Sequence, residues 1–301
     1  MRILCAVDGS EQAQWGVRAL ETFTGRELEQ VTLLHVVDPS LLKAGSGCNP
    51  VAAKRALTAM EKAGARLLRD AERTARVALS QAATGSHTGV QTILAHGPFA
   101  RTIAKHATRT KADVILMGCR GLSDIRGFLL GSTSRQVAAV TPCSLLVLKQ
   151  PLTKLRRVTL AVDDSAPSRR AARFLRSRVL PDAAEITILT SMESPVTDLA
   201  ARYLSESQLA ALTGPAMERA ADLMDRLHDE FLKDGYAVTT VVRMDHVIDT
   251  IVKQVEADRS DLLVIGSREL TKTERLHLGS VSETLLRHAP CSVLIVRGAR
   301  A

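Results

Sequence analysis

Long apolar runs are missing from this 301-residue sequence: none approaches the ~18–20 residues that a membrane-spanning helix needs. A charged-then-apolar leader ending in small residues is also missing. Met1 leads straight into a strand-like run, so no secretory signal is expected. Cysteine is scarce and odd in number, with five residues at Cys5, Cys48, Cys119, Cys143 and Cys291 and no CxxC pair or regular spacing. That pattern excludes a disulfide framework and a cysteine-based zinc site, and the expected compartment is a reducing cytoplasm. His35, His87, His96 and His106 include no HExxH spacing and no carboxylate or cysteine that would complete a ligand set. They read as scattered surface or strand-end residues.

Charge is present but unevenly spread. The net charge is +8, and residues 1–150 hold 19 Lys+Arg against 11 Asp+Glu, whereas residues 151–301 hold 21 of each. A basic half favours anionic partners. Much of the surplus lies on a helix expected over 51–82, where Arg55, Lys62, Arg66, Arg69, Arg73 and Arg76 form one stripe. Leu57, Met60, Leu67, Ala71, Ala75 and Ala78 form the opposite stripe, interrupted by Gly64. The basic stripe reads as a solvated face, so neither nucleic acid nor membrane is expected as a partner.

The chain repeats itself. RILCAVDGS at Arg2–Ser10 answers RVTLAVDDS at Arg157–Ser165, ADVILMG at Ala112–Gly118 answers SDLLVIG at Ser260–Gly266, and PCSLLVL at Pro142–Leu148 answers PCSVLIV at Pro290–Val296. The offset is 155 early and 148 late, so the second copy is shorter by seven residues in its middle. Lys149–Arg156 reads as a short linker, giving domains 1–150 and 151–301. In the first copy, strands are expected near 2–8, 30–37, 89–95, 113–118 and 144–149, with helices near 10–22, 51–82, 98–110 and 132–140. The second should have strands near 157–163, 185–191, 237–243, 261–266 and 292–297, and helices near 166–178, 205–233, 246–257 and 280–288. Continuous Val/Ile/Leu runs fit strands buried on both faces. Strands alternating with helices imply an α/β fold of two tandem doubly wound five-stranded parallel-sheet domains. Ligands of such sheets sit beyond the carboxyl ends of the strands.

At those ends the first copy carries Asp8-Gly9-Ser10, Gly118-Cys119-Arg120-Gly121 and Gly131-Ser132-Thr133-Ser134. Glycines let backbone come close to a phosphate. A helix opening Gly-Ser-Thr-Ser offers free N–H groups, hydroxyls and the positive end of its dipole to an anion. Residues 122–130 between the two glycine groups would form a flap carrying Arg126. Asp8 could meet a ribose hydroxyl or a phosphate-bound Mg²⁺, or Asp8 and Ser10 could simply cap the following helix. Cys119, beside Arg120 inside the glycine turn, would be exposed and redox-sensitive. Cys143 and Cys291 read as packing residues, and Trp15 as an anchor of the first helix.

The series Gly118–x2–Gly121–x9–Gly131–Ser132, together with Asp8, the strand ending at Met117 and PCSLLVL, resembles the universal stress protein family over nearly the whole chain. The resemblance implies a fold of the adenine nucleotide alpha hydrolase-like, Rossmann-like kind and one ATP site per chain, in the first copy. Its implied residues are Ala6, Val7, Asp8, Val36, Met117, Gly118, Arg120, Gly121, Gly131, Ser132, Thr133 and Ser134. Asp8 would contact ribose or Mg²⁺, Val36 would line the adenine pocket, and the Gly131–Ser134 turn would bind phosphates. The family pairs domains through the last strand, so Leu145–Leu148 and Val293–Val296 would pair within the chain. Protein partners and a homodimer are further expectations.

The second copy keeps Asp163, Gly266, Gly279, Ser280 and Ser282 but has Glu269 where the second glycine belongs. Thr190-Ser191 replaces His35-Val36. At ~4 Å and an effective dielectric near ~20, a carboxylate repels a unit negative charge by about 4 kcal/mol, or nearly three decades of affinity. Weak or no ATP binding is therefore expected there. No GxxxxGK(S/T) loop, SGGxDS-like loop or HxGH-like helix start accompanies the glycines, and no nucleophile is matched to a base. Asp8 with Mg²⁺ would give at most slow hydrolysis. The expected role is nucleotide-dependent conformation or partner binding in a stress response, with a scaffold lacking a functional nucleotide site as the alternative.

Overall fold

The computed structural model describes residues 1–23, 28–42, 49–81, 88–121, 130–177, 180–181, 183–267 and 279–298. In the first copy β1 (Arg2–Ala6), β2 (Gln30–Val37), β3 (Gly89–His96), β4 (Val114–Gly118) and β5 (Ser144–Leu148) alternate with helices. These are α1 (Glu11–Arg18, continued by a 3-10 turn at Ala19–Thr22), α2 (Pro50–Gln81), α3 (Phe99–Arg109) and α4 (Ser132–Val140). The second copy has β6 (Arg157–Ala161), α5 (Ala166–Arg176), β7 (Glu185–Met192), α6 (Asp198–Ala201) and α7 (Glu206–Lys233). It ends with β8 (Ala237–Met244), α8 (Val247–Ala257), β9 (Leu262–Gly266), α9 (Ser280–His288) and β10 (Ser292–Val296). Among the described residues, only the single-turn α6 and a 3-10 turn at Pro39–Leu41 fall where the sequence predicts no element.

All ten strands form one sheet, in the order β3-β2-β1-β4-β5-β10-β9-β6-β7-β8. Every neighbouring pair is parallel except β5 with β10, which run antiparallel with Val147 opposite Val293, Leu146 opposite Leu294 and Leu145 opposite Ile295. The two expected five-stranded sheets are therefore halves of a single one, joined by the strands the family resemblance nominated. Joining them removes two apolar edges that would otherwise invite pairing with another chain.

Side chains alternate across this sheet and build two cores, each spanning both copies. Leu146, Leu148, Leu294 and Val296 face the side covered by α1, α2, α5 and α7, with Leu20, Leu68, Leu175 and Phe231. Leu145, Val147, Val293 and Ile295 face the side covered by α3, α4, α8 and α9, with Ile103, Val137, Ile251 and Leu285. Each fully buried aliphatic side chain contributes about 1.5–3 kcal/mol. Burial on both faces holds for the inner strands: β4, β5 and β10 are buried at every position. It fails for β3, buried only at Ala95, and for β8, where every residue is half-buried or exposed, because they are the two ends of the sheet.

The helices start where local chemistry directs. Ser10 caps α1 by accepting from the Ala13 N–H (3.2 Å), and Ser205 with Gln208 forms a capping box on α7. On α2 the six basic residues of the predicted stripe are all exposed. Arg73 pairs with Asp70 and Arg76 with Glu72 along the helix. Its inward face buries Leu68, Ala75 and Ala78. Gly64 is needed there: a methyl group at this position would lie 2.5 Å from His35 Cδ2 and 2.9 Å from Leu94 Cδ1. Trp15 is half-buried against the same core, as its place on α1 predicts.

Candidate functional site

Strands β1, β2 and β4 end side by side, and α2 leans over them. Between them lies a cavity of about 400 Å³. Val36, Met117, Phe99, Ile103, Met60 and Leu67 supply its apolar walls, and Asp8, His35, Arg120 and Thr133 its polar ones. Of the twelve residues expected to bind ATP, ten line it: Ala6, Val7, Asp8, Val36, Met117, Gly118, Arg120, Gly121, Thr133 and Ser134. Gly131 and Ser132 are not among the lining residues. The Gly131 N–H donates to the Cys119 carbonyl (2.8 Å), which ties the start of α4 to the end of β4, and Ser132 is exposed beside it. No side chain caps α4, so its first-turn N–H groups meet no acceptor among the described residues.

Asp8 orients the cap of α1 and also lines the cavity. Its Oδ1 accepts from the Ser10 N–H (2.9 Å) and hydroxyl (2.6 Å), which orients Ser10 as the α1 cap. Its Oδ2 faces Gly121, where a methyl group would sit only 2.7 Å away. Arg120 stands at the same mouth, with its Nε buried and without a hydrogen-bond partner among the described residues. A buried guanidinium nitrogen without an acceptor is costly, and an anionic oxygen is the partner that would relieve it. Arg126 and the rest of the flap over 122–129 lie outside the described residues.

Several residues also carry structural roles that the sequence did not suggest. Gly118 is small because α1 crosses it: a methyl group there would lie 2.5 Å from Gln12 Cβ and 2.9 Å from the Gln12 carbonyl carbon. Gly266 meets Pro167 of α5 in the same way. The Ser134 hydroxyl donates to the Gly118 carbonyl (2.9 Å) and is buried. Cys119 is not exposed. It is 1 % accessible and belongs to the core on the α3, α4, α8 and α9 side of the sheet. The redox-sensitive reading of Cys119 is therefore corrected. Cys143 and Cys291 are buried as expected, and burial pushes their thiols up to about 11 and about 12.

His35 was set aside with the other histidines, yet it forms part of the cavity wall and donates from Nδ1 to the Val7 carbonyl (2.7 Å). Its place at the end of β2, one residue before Val36, was the available signal. His96 pairs with Glu61 (2.9 Å), and His106 is buried on α3, its pKa lowered by desolvation and by Arg109 and Lys105. His87 lies outside the described residues.

A second cavity, of about 280 Å³, occupies the matching place at the ends of β6 and β9. All five second-copy candidates line it: Asp163, Gly266, Gly279, Ser280 and Ser282. Asp164 keeps the left-handed backbone of its counterpart Gly9, with φ of 57° against 87°. Glu269 lies outside the described residues.

The model of the universal stress protein family matches residues 1–149 and again 154–297. The chain belongs to the universal stress protein family. A universal stress protein from Thermus aquaticus is 28% identical over 148 residues, covering 47% of this chain and 98% of the relative. Another from Mycobacterium tuberculosis is 28% identical over 242 residues, covering 76% of this chain and 78% of the relative, so the likeness runs through both copies. Among solved structures, a universal stress protein from Archaeoglobus fulgidus superposes with a TM-score of 0.69 at 19% identity, covering 98% of each chain. That likeness speaks for the fold. No described helix is long and apolar enough to cross a membrane.

Proposed function

We propose that this universal stress protein binds one ATP, with Mg²⁺, in the half formed by residues 1–150, and acts in the cytoplasm through nucleotide-dependent conformation or partner binding. The observation that carries the reading is the pairing of an apolar cavity of about 400 Å³ with Arg120 at its mouth, whose buried Nε has no partner among the described residues. Adenine would lie against Val36 and Met117. Asp8 Oδ2 would take a ribose hydroxyl or the metal, and Arg120 with the first-turn N–H groups of α4 would take the phosphates. Mg²⁺, when bound, would be held by Asp8 and would supply positive charge to offset the phosphates. Residues 151–301 form the partner domain, with little affinity for ATP.

The test is nucleotide content and stoichiometry. The purified chain is denatured, released bases are chromatographed, and ATP–Mg²⁺ is titrated into stripped protein. Expected is about one adenine nucleotide per chain, lost in Gly131→Glu because a carboxylate opposes phosphate at the α4 start, and kept in Gly279→Glu. A chain without nucleotide and without binding would make the protein a scaffold.

A further inference from the structure

A groove between α1 and α2 in the first copy has a counterpart between α5 and α7 in the second, and the two differ in charge. Leu67, Asp70, Ala71 and Thr74 line one wall of the first groove. Leu223, Arg226, Leu227 and Glu230 line the matching wall of the second at the same spacing. On the facing helix, Gln14 and Arg18 correspond to Arg169 and Arg173 at the repeat offset of 155. The second groove thus has an arginine where the first has an aspartate, and another where the first has a glutamine. Its half of the chain holds 21 Lys+Arg and 21 Asp+Glu, so the arginines are a local concentration rather than a general surplus. We infer that the α5–α7 groove binds a condensed phosphate, a chain of two or three phosphoryl groups.

The arginines divide by what already holds them. Arg176 is committed to structure: it donates to Asp234 (2.6 Å) and to Glu230, which ties α5 to α7. Arg169 donates to Asp164 Oδ1 (2.9 Å), and Arg226 stands 3.9 Å from the same oxygen. The side chains of both pairs are more than half exposed. Exposed ion pairs contribute little to stability, so both guanidinium groups can turn to an incoming anion at small cost. Arg173 has no hydrogen-bond or ion-pair partner among the described residues. It follows Arg169 by four residues, about 6 Å along α5 and on the same face. Beneath them Ala172, Leu223 and Leu227 are buried and form an apolar floor. Cations above a floor of low dielectric focus their field on an anion, and each guanidinium fork matches two phosphate oxygens. Cations on both walls of a cavity of about 390 Å³ suit phosphoryl groups in a row more than a single one.

The probe is tripolyphosphate, titrated by calorimetry into the full chain in magnesium-free buffer of low ionic strength. A site that accepts one tripolyphosphate per chain should weaken by about tenfold in Arg173→Gln and again in Arg226→Gln, each of which removes one charged fork. It should be unchanged in Arg120→Gln, which alters the first cavity. Both groove positions are exposed, so these variants should keep the circular dichroism and the ATP titration of the parent. The phosphate tail of a nucleotide carries the same chemistry, and ADP separates the two sources. Affinity equal to that of pyrophosphate assigns a tail whose nucleoside stays outside the groove, and affinity about tenfold lower assigns a free chain. No binding, or binding of inorganic phosphate as tightly as tripolyphosphate, would overturn the inference. So would loss of the site in Arg120→Gln, or indifference to Arg173→Gln and Arg226→Gln. ATP–Mg²⁺ is titrated separately, and its failure to bind would leave the tripolyphosphate result standing.

Discussion

Lys149 and Arg297 perform the same contact in opposite directions across the β5–β10 seam. Each follows the last strand of its own copy and caps a helix of the other. Lys149 Nζ donates to the carbonyls of Arg287 (3.2 Å) and Ala289 (2.5 Å) at the end of α9. The Arg297 guanidinium donates to the carbonyls of Ala138 (2.6 Å) and Thr141 (2.8 Å) at the end of α4. Cations at helix carboxyl ends complement both the unpaired carbonyls and the dipole. The helices so capped are the two whose amino ends approach the cavities.

Burial moves the Lys149 ammonium down from 10.5 to about 8. Over that interval the unfolded chain holds a proton that the folded chain has released, so stability rises with pH from this group. From about pH 7.5 to about pH 9.5 the gain is about 2 kcal/mol. Urea midpoints of the parent and of Lys149→Met should diverge over this range, with the parent gaining relative to the variant. Parallel pH profiles would show that Lys149 titrates normally.

Gly121 abuts Asp8 Oδ2, so the second copy's glutamate can be imported into the first as Gly121→Glu. Two carboxylates would then crowd the mouth where phosphates are proposed to lie. ATP affinity should fall by up to about three decades, read by calorimetry. Because the new side chain must also displace Asp8 Oδ2, the urea midpoint should fall modestly while the circular dichroism stays that of the parent.

Two helical glycines should respond to alanine with opposite signs. Gly64→Ala gains helix propensity but drives a methyl group into His35 and Leu94, and a net loss of about 1–3 kcal/mol is expected. At Gly214, on α7, an added methyl group meets nothing within 4 Å. Gly214→Ala should stabilise by about 0.5–1 kcal/mol. Thermal melts of the two variants beside the parent check both signs at once.

Cys5, Cys119, Cys143 and Cys291 are all buried, and burial pushes the Cys5 thiol up to about 12. None of the four should react with an aromatic disulfide reagent in the folded protein, and all should react on unfolding. Mass mapping of labelled peptides distinguishes them from Cys48. Fast native labelling of Cys119 would restore its reading as a sensor.

The fold was legible because its signals were local and repeated. Leu145–Leu148 and Val293–Val296 are unbroken apolar runs, and buried strands need such runs. Ser10 and Ser165 stand where helix caps must, and the basic stripe of α2 has the helical period. What the sequence hid was the cause behind a residue type. Gly118 and Gly266 match a phosphate-binding pattern, but the neighbour each must accommodate is a helix start, Gln12 or Pro167, about a hundred residues distant along the chain in each case. Cys119 sits in a glycine-rich turn, and only the course of the backbone decides that its thiol points inward. The α2 residues Met60 and Leu67 read as core because their spacing is that of any amphipathic helix, yet they close the cavity.

The β5–β10 seam lies within one polypeptide. In a symmetric pair of identical chains any substitution is made twice, and a cavity cannot be altered on one side alone. Here the same contact survives dilution, since the second partner is always attached. Each half is free to change while the other stays as it was. A glycine become glutamate and a valine become serine can then accumulate in one copy, so that two unlike cavities share one sheet.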